Sequence, residues 1–168
     1  MGDVWNVGTT LATLLIALVS CLAPHHRTLK ADKEAATIRA RSTAGRASLV
    51  TASARQRSDT TIDVLITNGA PSPIADVDLL DVRAEAAESD GTWRLTPKFS
   101  PNTATACVLQ PGESLTSHVQ LLDPAGALLA PRSGMRFLIT FGFRDLDGQW
   151  WKRDIGQPPE RCETRPVA

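Results

Sequence analysis

The sequence predicts a mainly β protein: an antiparallel sandwich of about seven strands over residues 47–157, preceded by one hydrophobic helix and a short basic connector. Three observations predict it. A twenty-residue uncharged run opens the chain at Val4 to Ala23. Beyond about residue 47, short apolar stretches alternate with period two, as half-buried strands do. Turn formers punctuate those stretches every 8 to 15 residues, and no helical pattern lies among them.

The first element, residues 1–23, is dominated by Leu, Ala, Val, Ile and Thr from Val4 onward. At about 1.5 Å per helical residue the run reaches about 30 Å, the hydrocarbon thickness of a bilayer. A secretory signal normally opens with Lys or Arg ahead of a shorter apolar core, whereas this chain opens with Met1-Gly2-Asp3. Trp5 stands where an interfacial aromatic anchor is expected. No Lys or Arg precedes the run, and Arg27, Lys30, Lys33, Arg39 and Arg41 follow closely. The positive-inside rule therefore expects a single-pass cell-membrane protein with its N-terminus outside and the C-terminal domain cytoplasmic. A rival reading rests on Leu18-Val19-Ser20-Cys21, which has the pattern of a bacterial lipobox; lipidation at Cys21 would leave the domain outside the cell as an exported lipoprotein. The missing early basic residues and the basic Leu22-Ala23-Pro24-His25-His26-Arg27 stretch argue against that alternative.

The connector, residues 24–46, is rich in Ala, Arg, Lys and Glu with few large apolar positions, which predicts a solvated juxtamembrane helix. Its support should fade at Ser42-Thr43-Ala44-Gly45, where small turn formers gather. The formal net charge is +0, but it is unevenly spread. Residues 24–57 carry eight Lys or Arg against Asp32 and Glu34, and the chain from Ser58 onward carries ten basic against fifteen acidic residues. A mildly acidic domain argues against a nucleic-acid partner, since binding phosphates needs a basic excess.

Within the domain, Ile62, Val64 and Ile66 share one face of a strand that ends at Asn68-Gly69. Val77 and Leu79 alternate, then Leu80, Val82 and Ala84 alternate on the opposite parity, which calls for a β-bulge between Leu79 and Leu80. Trp93 and Leu95 open a short strand before Pro97, and Gln110-Pro111-Gly112-Glu113 is a turn into Leu115 to Leu122. Phe137, Ile139, Phe141 and Phe143 form the strongest row, an aromatic and β-branched face suited to a sandwich core. Asp145-Leu146-Asp147-Gly148 then marks a hairpin into Gln149 to Ile155. Residues 158–168 read as a flexible tail.

The charge-poor span, the Ala/Arg-rich connector, the stretch Asn68 to Val77, the Leu109-Gln110-Pro111-Gly112-Glu113 turn and the ending Phe143-Arg144-Asp145 to Gly148-Gln149-Trp150-Trp151-Lys152-Arg153-Asp154 together resemble uncharacterised single-span actinobacterial membrane proteins with a C-terminal immunoglobulin-like domain. The resemblance covers nearly the whole chain and implies a fold and a membrane address, with no activity attached. It also makes Trp151 the better core candidate of the Trp150-Trp151 pair.

Residue chemistry points away from catalysis. Adjacent strand residues face opposite sides, so Ser117 and His118 do not make a nucleophile–base pair, and no phosphate loop, CxxC or HExxH motif occurs. Asp145 and Asp147 resemble the opening of a calcium loop, but the position that should bring a closing Glu holds Gly156. Cys107 and Cys162 are candidates for a disulfide only in an oxidising compartment. No catalytic, cofactor or metal residues are expected. The candidate interface is Trp150 beside Lys152, since an outward Trp with a polar tip concentrates binding energy. The expectation is a non-enzymatic, membrane-anchored interaction or structural module, bound to the bilayer by its helix and to a protein partner or another copy of itself, with no small-molecule substrate.

Overall fold

The computed structural model describes residues 32–38, 40–85, 91–131 and 134–167. The apolar run from Val4 to Ala23, Cys21 and the histidine pair His25-His26 all lie outside them. Among the described residues, no helix is long and apolar enough to cross a membrane.

The chain divides into two compact units, residues 1–43 and 44–168. In the first, residues 32–38 and 40–43 are helical, with Thr37 Oγ1 donating to Lys33 O at 2.8 Å and Ile38 exposed. The second unit opens on helical residues 44–47. Helical structure thus persists through Ala44-Gly45, where the small residues were expected to end it. The reason is tertiary: Ala44 and Ala47 pack onto the core, and Ser48 closes the turn by donating from Oγ to Gly45 O and from N to Ala44 O.

Ten strands follow among the described residues: β1 Val50–Ser58, β2 Thr61–Asn68, β3 Ile74–Ala84, β4 Thr92–Leu95, β5 Thr105–Leu109, β6 Ser114–Leu122, β7 Leu128–Leu129, β8 Phe137–Arg144, β9 Trp150–Asp154 and β10 Glu160–Cys162. They form two antiparallel sheets. One runs β1-β2-β6-β4, with β7 taking up the edge of β6 beyond the end of β2; the other runs β10-β9-β8-β3-β5. Segment 158–168, expected as a tail, instead supplies β10 on β9 and ties Arg165 and Pro166 onto the sheet. Polar strands at a sheet edge carry no apolar alternation, which is why the sequence pattern missed it.

The core lies between the sheets. Ile62, Val64 and Ile66 of β2 and Val119 and Leu121 of β6 face Val77, Leu79, Val82, Ile139, Phe141, Phe143 and Trp151. Phe141 and Phe143 are fully buried with ring centroids 6.2 Å apart. Burying each such side chain is worth about 1.5–3 kcal/mol, so the period-two rows supply the main driving force.

The expected slip in β3 is present. Leu79 pairs with Phe141 and Asp81 with Thr140, so two steps on β3 oppose one on β8. A second irregularity lies between Ala75 and Asp78, where Asp76 takes φ 48°. These two bulges set which β3 side chains face outward. The turns also follow their chemistry. Asp145 and Asp123 each head a loop whose fourth residue, Gly148 or Gly126, has positive φ, and in both the Asp carboxylate accepts from the backbone N–H four residues on. Asn68, fully buried, ties three segments together: its Nδ2 donates to Ser72 O and Leu109 O, and its Oδ1 accepts from Ala70 N. At Gly69 a Cβ would lie 2.6 Å from Leu49 O, so no larger residue fits beside the start of β1.

Candidate interaction surface

Alternation along β9 sends Trp151 inward and Trp150 and Lys152 to the outer face of the sheet. Trp151 is 4% exposed and donates its indole N–H to Asp145 Oδ2 at 2.8 Å, which satisfies its polar tip inside the core. Trp150 is half-buried on the outer face. The Arg144 and Arg165 guanidinium carbons lie 5.7 and 5.9 Å from its ring centroid, within cation–π range. Each arginine is itself tied to β3. Arg144 pairs with Asp76 at 2.7 Å, and Arg165 grips Asp78 with two bonds of 2.9 Å. Asp76, Asp78, Arg144 and Arg165 were missed by sequence reasoning. The available signal was the alternation Asp76-Val77-Asp78-Leu79, which sends both carboxylates to the face opposite the core residues Val77 and Leu79.

Lys152 stands opposite Gly142 of β8 and Glu160 of β10 and lines a groove of about 690 Å³ on that outer face. Its apolar lining comes from Leu80, Trp93, Leu138 and Ile155, and its charged groups from Asp81, Arg83, Lys152 and Asp154. Leu138 is 48% exposed in the middle strand of the face. Trp93 reaches the groove from the other sheet and is held by its indole N–H, which donates to Leu80 O at 3.3 Å. Thr140 Oγ1 donates to Asp154 Oδ1 at 2.6 Å, fixing one polar wall. The structure thus places Trp150 and Lys152 on one face but in different surroundings: Trp150 among arginines, Lys152 beside an apolar groove.

Arg153 points the other way. Its guanidinium donates to the carbonyls of Ser48, Val50 and Gln157, and burial lowers its pKa from the ordinary value. It is a structural tie between β9 and the entry to β1.

The other sheet carries a second polar cluster on its outer face. His118 Nδ1 bonds Asp63 Oδ1 at 2.7 Å, Arg57 bonds the other Asp63 oxygen at 3.1 Å, and Phe99 lies against both the imidazole and the guanidinium. Ser117 faces inward and donates to Thr103 O, so it is separated from His118 by the sheet. In the hairpin loop, Asp145 is engaged by Gln149 N and Trp151, and Asp147 pairs with Arg46 at 3.0 Å. Among the described residues, no group of three His, Cys, Asp or Glu gathers where it would hold a metal ion.

Cys107 and Cys162 are both free. They sit on β5 and β10, the opposite edges of one sheet. Four strand spacings separate them by about 19 Å, against the roughly 7 Å that a disulfide tolerates between Cα atoms. No family model matches the chain, and no curated protein and no solved structure matches it.

Proposed function

We propose that this chain is a non-enzymatic, membrane-tethered interaction module, whose immunoglobulin-like sandwich is held on the cytoplasmic side by a single N-terminal span and engages a protein partner through the outer face of β3, β8 and β9. The membrane address rests on the uncharged Val4 to Ala23 run and the arginines and lysines that follow it. The immunoglobulin-like reading rests on strand order: β1-β2-β6-β4 follows the A-B-E-D order of such sandwiches, and β9-β8-β3 follows G-F-C, with β5 and β10 as added edges. It accords with the resemblance to single-span actinobacterial proteins.

The observation that carries the interaction role is the groove beside Lys152. An exposed leucine in mid-sheet, flanked by Trp93 and Ile155 and rimmed by Lys152 and Asp154, has the anatomy of a protein-binding patch, with an apolar centre and a charged surround. A photoreactive amino acid at position 138 in the full-length chain, activated in native membranes, should yield a discrete crosslinked adduct that Lys152→Glu abolishes. Crosslinking to lipid alone, or the same adduct with Lys152→Glu, refutes the role. The alternative, a lipoprotein anchored through Cys21 with the sandwich outside the cell, has the Leu18-Val19-Ser20-Cys21 pattern in its favour. Protease added to intact protoplasts separates the two: the cytoplasmic reading expects protection of the sandwich until the membrane is breached.

A further inference from the structure

The segment after β10 occupies a site built by three separate strands. Asp78 of β3 has a side chain only 10% exposed, and its carboxylate receives the Arg165 guanidinium fork, Nε to Oδ2 and Nη2 to Oδ1, both at 2.9 Å. A two-pronged fit of this kind suits arginine and not lysine, because the planar guanidinium presents two parallel N–H donors. Trp150 of β9 forms a wall, 5.9 Å from ring centroid to guanidinium carbon. The next residue, Pro166, is buried over Gly142 of β8. A Cβ at position 142 would lie 2.5 Å from Pro166 Cγ and 3.4 Å from Leu80 Cδ1, so the glycine leaves the notch that the proline ring fills. Carboxylate, aromatic wall and notch together read an arginine followed by a proline.

The occupant is held to β9 by a short backbone pairing and by Gln149, whose Nε2 donates to Cys162 O and whose Oε1 accepts from the Arg161 guanidinium. β10 pairs with β9 through three residue pairs. It is reached through Asp154 to Gln157, a turn with Gly156 at φ 79°, and then through Pro158-Pro159, which favour an extended path. Among the described residues, Asp78 has no ion-pair partner besides Arg165. A departing arm would leave the Asp78 carboxylate without its paired N–H donors, a loss that another arginine in the same place restores. The occupant that fits by construction is the same segment of a second copy.

We propose that residues 160–167 form an exchangeable arm, and that β9 with the Asp78–Gly142–Trp150 notch is a docking site for the corresponding arm of a second copy of this chain. Contacts made within one chain and between two are then the same, so the balance is set by the hinge and by local concentration. In dilute solution the chain's own arm wins, and crowding of copies favours exchange.

The test pairs two full-length variants in detergent. Arg165→Ala has an intact site but a disabled arm, and Asp78→Asn has an intact arm but a disabled site. Each alone should sediment as a monomer, and the mixture should form a one-to-one heterodimer. A mixture that stays monomeric, or a dimer of either variant alone, overturns the proposal. A second measurement covers the case in which either variant fails to fold. A labelled peptide of residues 160–167 should bind full-length Arg165→Lys at least about tenfold more tightly than the wild-type chain, since a lysine cannot hold the fork. The same peptide carrying Arg165→Ala should not bind; equal binding of the two peptides, or no binding of either, overturns it.

Discussion

Asn68→Ala should lower the stability of the sandwich unit by about 3 kcal/mol, taking each lost buried hydrogen bond at about 1 kcal/mol. The side chain is fully buried and makes three bonds, to Ser72 O at 2.9 Å, Leu109 O at 3.0 Å and Ala70 N at 3.0 Å. Removing it takes away the side-chain partner of two carbonyls and one amide where three segments meet. Its own backbone is also engaged, donating to Glu113 O and accepting from Gly112 N, so the loops cannot part to let water in without breaking the β2 end. For a unit of this size each kcal/mol shifts the midpoint by about 3 to 5 °C, so thermal unfolding of residues 44–168 followed by circular dichroism should show a fall of roughly 10 °C. Asn68→Asp should be at least as damaging, because it keeps the shape but aims a carboxylate oxygen at two carbonyl oxygens. A fall under about 2 °C for Asn68→Ala, or an Asp variant milder than the Ala variant, would refute the hydrogen-bond argument.

The two tryptophans should separate in the same assay. Trp151→Ala should cost about 3–5 kcal/mol, as large aromatic truncations in a packed core do. Trp150→Ala should cost about 1–2 kcal/mol, having only half-buried area and two cation–π contacts to lose; equal losses would mean that the two faces of β9 are misassigned. Oxidation of the chain should produce no intramolecular Cys107–Cys162 crosslink, read as an absence of a faster-migrating monomer on a non-reducing gel, because the two lie on opposite edges of one sheet.

What was legible in the sequence was the buried middle of each sheet. The rows Ile62-Val64-Ile66 and Ile139-Phe141-Phe143 lie in strands paired on both sides, where one face must be apolar, and the pattern marks them plainly. The parity change at Leu79-Leu80 marked a bulge for the same reason. The Asp-Gly and Pro-Gly turns were legible because positive φ needs glycine. By contrast β1, β5 and β10 went unread. Each is an edge strand with at most one large apolar residue in the core, Val50 in β1 and Leu109 in β5, so no apolar row marks it and much of its order comes from a neighbour's backbone.

The surface was decided by tertiary structure alone. Asp78, Gly142, Trp150 and Arg165 come from β3, β8, β9 and the segment beyond β10, and nothing in their spacing says that they meet. Sequence by itself determined which residues must be hidden, because water penalises apolar rows wherever they occur. Which charged and aromatic groups face one another across the outside depends on register, two bulges and the order of strands, and those are set only when the sheets close.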